Sequence, residues 1–111
     1  SYNVFIITGS DDNEDIVAVH KTTLKGNYPN PFNPETTISF SVMNEAPVSL
    51  DIYNVKGQLV RKLVNDVKAA GEHTVVWNGK DNNGRAVSSG VYYYKMTTGK
   101  YSSTKKMILM K

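Results

Sequence analysis

The chain has 111 residues, no cysteine, and 13 basic against 10 acidic side chains, a net charge of +3. That length holds one small domain with room for an appendage, stabilised by packing without disulfides; thiol catalysis and sulfur-ligated metals are excluded. No apolar run approaches the about 20 residues that span a bilayer, and only Lys105 and Lys106 are adjacent among the lysines, against the clustered cations and stacking aromatics of a nucleic-acid surface.

An opening at Ser1 reads as a processed or excised fragment. Residues 1–23 form a unit of their own. Two β-prone runs, Val4-Phe5-Ile6-Ile7-Thr8 and Ile16-Val17-Ala18-Val19-His20, flank an acidic turn from Gly9 to Asp15, the pattern of a hairpin with a long loop. Both runs are apolar on both faces, so the hairpin is either the tail of an upstream domain or an extra pair of strands on the main one. Thr22 to Gly26 reads as a connector.

Next comes Asn27-Tyr28-Pro29-Asn30-Pro31-Phe32-Asn33-Pro34, which holds three of the four prolines. Proline fixes φ and makes the residue before it extended, while Asn accepts turn geometry. The stretch reads as a stiff, kinked entry ramp, with Tyr28 and Phe32 available to pin it to a core. Two roles are open: Phe32 plugs the end of a sandwich, or the ramp holds the domain away from whatever precedes it.

Short alternating strands follow. Ile38, Phe40 and Val42 share one face; after a turn at Asn44-Glu45-Ala46-Pro47, so do Val48, Leu50 and Ile52. Asn54-Val55-Lys56-Gly57 is a turn. Residues 59–67 resist, because Val60, Leu63, Val64 and Val67 fall at helical spacing; the neighbouring short strands favour a bulged strand followed by a loop. Gly71 opens a strand with His73, Val75 and Trp77 on one face. Residues 78–85 are turn-rich, and Tyr92, Tyr94 and Met96 share the inner face of the next strand. Residues 101–111 are the last strand or strand pair. Each apolar side chain so buried stabilises by about 1.5–3 kcal/mol before entropy. Two antiparallel sheets face to face would cover the set: an all-β, immunoglobulin-like antiparallel sandwich of seven strands, plus the N-terminal hairpin.

In the tail, Met107 and Leu109 point one way and Ile108 and Met110 the other, with Lys105, Lys106 and Lys111 as brackets. Either both faces of this strand are covered, or its edge or outer face docks to a receptor by strand addition.

No nucleophile elbow, P-loop or dinucleotide fingerprint occurs. His73, beside Trp77, reads as a partly buried core residue, and His20 as solvated. Asp81-Asn82-Asn83-Gly84 resembles an EF-hand opening, yet Gly79 stands where its first Asp belongs and Gly90 where its last Glu does, so a tight turn accounts for it. Asp11, Asp12, Glu14 and Asp15 read as solvated acids, and Tyr93 as a lone outward aromatic, too little for a sugar platform. The expectation is no enzyme, no catalytic residue, no metal and no cofactor.

Leu24, the segment Asn27 to Pro34 and Thr36-Thr37-Ile38 resemble the opening of the C-terminal sorting domain of type IX secretion, type A. Residues 48–60 with Gly57, residues 70–79 with Gly71, Trp77 and Gly79, the turn at Gly84, and Ser89-Gly90-Val91-Tyr92 are similar to its middle; Lys105-Lys106-Met107-Ile108-Leu109-Met110-Lys111 resembles its end. The resemblance runs over residues 24–111. The middle alone is also similar to the immunoglobulin-like domain of flagellar hook-capping proteins. The resemblance implies a module at the end of a larger cargo protein of the Bacteroidetes and related phyla. It would pass through the periplasm, be recognised by the outer-membrane translocon and be removed by a sortase, leaving cargo on the surface or in the medium. Residues 105–111 are the candidate recognition element and the earlier motif residues are structural. The alternatives are a structural or adhesive immunoglobulin-like module, or an accessory carbohydrate-binding module.

Overall fold

The computed structural model describes residues 21–111. The hairpin expected within residues 1–23, His20 and the acidic turn lie outside the described residues, apart from Lys21, Thr22 and Thr23. Seven strands follow: β1 (Thr23–Tyr28), β2 (Thr36–Val42), β3 (Ala46–Tyr53), β4 (Leu59–Lys68), β5 (Gly71–Trp77), β6 (Gly90–Thr98) and β7 (Tyr101–Leu109). They form two antiparallel sheets, β1-β2-β5 and β4-β3-β6-β7.

Period-two patterning fixes the layers. Ile38, Phe40 and Val42 from one sheet meet Val48, Leu50, Ile52, Tyr92, Tyr94 and Met96 from the other, all buried, with Trp77 fully enclosed. Val75, expected inside, is only half-buried, because β5 is an edge strand. Leu24, Phe32, Val64, Met107 and Leu109 complete the core.

Several boundaries differ from the sequence reading. The expected connector at Thr22 to Gly26 is the start of β1: Leu24 is buried, and the chain is tied to β2 through Ser41 Oγ donating to Lys21 O and Met43 N donating to Thr22 Oγ1 (2.9 Å). The proline segment is therefore the link between β1 and β2, inside the fold, and not an entry ramp or a spacer ahead of it. Ala46 and Pro47 belong to β3; Pro47 comes before β6 begins to pair at Ser49, so β3 is an edge there, a position that tolerates proline.

β4 continues to Lys68, so the loop expected after the bulged strand shrinks to Ala69 and Ala70. Its helical-looking spacing has a physical cause. The register slips once between Leu50 and Asp51 and again between Ile52 and Tyr53, leaving Leu63 and Val60 as extra residues in two bulges. Each bulge adds one residue to the alternation, which brings Val60, Leu63 and Val64 into an apparent i, i+3, i+4 pattern, while Val67, beyond both bulges, is exposed.

Candidate functional site

The proline segment and the last strand are one structure. β7 is an edge strand, paired with β6 on one side only. On its other side Phe32 N–H donates to Ile108 O (3.0 Å) and Met110 N–H donates to Phe32 O (2.9 Å). Asn30 Oδ1 accepts the Ile108 N–H at 3.1 Å. The proline collar thus serves as a short parallel partner for the end of β7, with Phe32 bridged to Leu109. The peptide bonds before Pro29, Pro31 and Pro34 are all cis.

The collar is anchored from below. Phe32, 2% exposed, packs on Trp77 at 5.7 Å, and Trp77 meets Tyr92 edge-on at 5.4 Å. The polar tips of these rings are satisfied: Trp77 Nε1–H donates to Lys80 O (2.9 Å) and the Tyr92 hydroxyl to Ser88 O (2.7 Å). A knot at the collar's foot joins both sheets. Asn27 Nδ2 donates to Thr36 Oγ1 (3.0 Å), Thr36 donates to Pro29 O (2.8 Å), and the Tyr94 hydroxyl donates to Asn27 Oδ1 (2.9 Å). Burial pushes the Tyr94 phenol up to about 12. Tyr101 OH receives the Leu24 N–H at 2.9 Å. Burial raises the Tyr101 pKa, but its bonds to Leu24, Thr23 and Ser103 and the nearby Lys105 charge outweigh that, and the net shift is downward.

Gly79, at φ +74°, lets the chain pass beneath the collar: a Cβ there would stand 3.1 Å from Pro34 O. Gly71 opens β5 and Gly90 opens β6 opposite Leu109. Gly57 closes the β3–β4 turn, its N–H donating to Asn54 O (3.0 Å), and Gly84 sits in the turn organised by Asp81. There Asp81 Oδ1 accepts the Asn83 and Arg85 N–H groups (2.9 and 3.0 Å), the tight turn expected of this segment. Ser89 Oγ accepts the Lys111 N–H (3.2 Å), and Lys111 Nζ donates to Val87 O. Asn33 and Pro34 complete the collar. Tyr28, expected to pin it, is 82% exposed; of the two rings only Phe32 anchors the collar.

The tail is split between two environments. Met107 and Leu109 are enclosed (0% and 1% exposed), while Ile108 and Met110 face solvent (37% and 55%), so the reading in which both faces are covered is corrected. Lys105 stands on the inner-face side opposite Tyr94, and Lys106 on the outer face opposite Tyr93; both are exposed. The flanking apolar outer residues include Val91, paired with Ile108, and Tyr93, paired with Tyr53.

His73 is half-buried, stacked on Phe40 at 5.4 Å with Nε2 2.7 Å from Ala69 O, the core role its pattern suggested. The Asn27–Thr36–Tyr94 knot and the Tyr101–Leu24 bond escape a sequence reading, because they join residues far apart in the chain through side chains whose local pattern says only "strand".

The sequence model of the FlgD Ig-like domain family matches residues 26–102. No curated protein matches the chain. Among solved structures, PorZ, described as an essential bacterial surface component of the type IX secretion system of Porphyromonas gingivalis, is similar at 25% identity with a TM-score of 0.54, over 77% of this chain and 11% of its own. Dimeric latent PorU from the same organism superposes with a TM-score of 0.67 at 19% identity, over 90% of this chain and 10% of its own. FlgD from P. aeruginosa gives a TM-score of 0.54 at 24% identity, over 67% of this chain and 57% of its own. The latter two likenesses speak for the fold alone, and the chain spans about a tenth of PorZ and PorU. This chain belongs to the FlgD Ig-like domain family.

Proposed function

We propose that this domain is the C-terminal sorting module, of type A, of a larger cargo protein exported by type IX secretion, with no chemistry of its own. The observation that carries the reading is the clamp between collar and tail. The family match stops at Ser102, whereas Phe32 and Asn30 grip Ile108 and Met110 beyond it. The collar lies inside that match and the tail outside it, and the two meet at one end of the sandwich. Likeness to PorZ, a component of that secretion system, supports the same direction. On this reading the outer-membrane translocon recognises residues 105–111, a sortase cuts ahead of the domain, and the cargo passes from the periplasm to the cell surface or the medium.

The test is a fusion of residues 21–111 to a foreign reporter in a type IX-competent host. The reporter is expected at the surface or in the medium; retention in the periplasm would count against sorting. The fusion starts at residue 21 because Lys21 O and Thr22 Oγ1 hold β2. A structural immunoglobulin-like role is the second reading, favoured by the family match to a hook-capping domain.

A further inference from the structure

We propose that the open half of the β7 edge, at Ser102, Thr104 and Lys106, is a docking site for an acidic β-strand of a partner protein. The inference rests on the sorting reading only for who supplies that strand.

Both the N–H and the C=O of Ile108 point away from β6, toward the collar. Backbone groups in an antiparallel strand alternate sides, so those of Lys106, Thr104 and Ser102 point the same way. The collar reaches only Ile108 and Met110, and among the described residues no backbone group pairs with the edge at 102–106. β1 lies across the seam in the other sheet, joined there through Tyr101 OH to Leu24 N (2.9 Å). A row of free donors and acceptors about three residues deep is a template for one more strand.

Charge decides what that strand carries. From Ala86 to Lys111 the sequence has lysines at 95, 100, 105, 106 and 111 and no Asp or Glu. This segment carries +5 in a chain of +3, so the excess sits on the β6–β7 hairpin and its end: Lys95, Lys105 and Lys106 in the strands, Lys100 in their turn and Lys111 just past β7. Lys105 and Lys106 face opposite sides of the edge and are exposed. An added strand would bring its side chains opposite both, where carboxylates gain cross-strand pairs and lysines are repelled. Single-sign charge also protects the edge from pairing with a second copy of itself.

The probe is a seven-residue Thr-Glu repeat peptide, with a Thr-Lys repeat and a polyglutamate of equal charge as controls, titrated into the full chain and read by amide NMR. The expected result is weak binding by Thr-Glu alone, with shifts confined to residues 101–106. Thr104→Pro removes an N–H that points away from β6 and should abolish the shifts, while Thr104→Ala keeps them. Lys105→Glu with Lys106→Glu should weaken binding at least tenfold without the backbone change, which covers the case that the proline variant folds poorly. Absence of Thr-Glu binding, equal binding of polyglutamate, or binding untouched by these variants would overturn the proposal. In the export assay, a Thr104→Pro fusion exported as well as the parent would remove the edge as the export determinant. A parent fusion that is not exported, yet binds the peptide here, would sink the sorting reading and leave the edge standing.

Discussion

Two glycines with the same backbone handedness separate conformational cost from contact cost. Gly57 (φ +80°) has open space around it, and Gly79 (φ +74°) lies under the collar, 3.1 Å from Pro34 O where a Cβ would go. Left-handed backbone costs an alanine about 1–2 kcal/mol. Gly57→Ala should lose that much in urea unfolding, and Gly79→Ala more, the difference being the displaced collar. Tyr94 gives a pH signature. Its pKa is raised by burial from 10.0 to about 12, so the folded state holds the proton longer than the unfolded chain. The stability it supports is complete below the unfolded pKa and falls as pH rises toward the folded one. Tyr101, shifted down, acts in the opposite sense from a more exposed position. Comparing wild type with Tyr94→Phe from neutral pH to about pH 11 isolates the first effect: the variant should start less stable, with Asn27 Oδ1 deprived of its donor, and lose less on the way up.

At the scale of elements, the collar is worth more than its exposed, proline-rich sequence suggests. Phe32→Ala removes a buried ring from Trp77 and should cost about 3–5 kcal/mol. Asn30→Ala removes one bond to Ile108 and should cost about 1 kcal/mol, seen as faster hydrogen exchange at the Ile108 amide. The alternating strands were legible: Ile38 to Val42 and Val48 to Ile52 bury the residues their period assigns. β4 was legible only as an ambiguity, because two bulges disguised its period. β1 was missed, since Gly26 and a register shift after Leu24 break its alternation, and its partner lies across the collar. The collar's residues stood out as a motif. Their placement between β1 and β2, against the far end of β7, is a long-range contact that no local pattern encodes.

At the scale of the whole molecule, the seven residues to which the sorting reading assigns recognition, 105–111, also hold the fold, and a deletion cannot separate the two roles. Removing residues 105–111 would take Met107 and Leu109 out of the core along with any outward signal. Two large buried side chains lost together cost about 4–10 kcal/mol, comparable with the total stability of about 5–15 kcal/mol for a small domain. The truncated chain should unfold, and failed export would then say nothing about reading. The alternation of β7 supplies the cleaner experiment. Ile108→Ser with Met110→Ser alters only side chains that already face solvent, and surface changes of this kind usually stay within about 0.5 kcal/mol each. Met107→Ala alters only the inner face and should cost about 2–5 kcal/mol. If the translocon reads the outer face, the first variant keeps its thermal midpoint and loses export, while the second melts earlier and is exported wherever it remains folded. The reverse outcome, export tracking stability and indifferent to Ile108 and Met110, would mean that the machinery reads the folded sandwich and not its last strand.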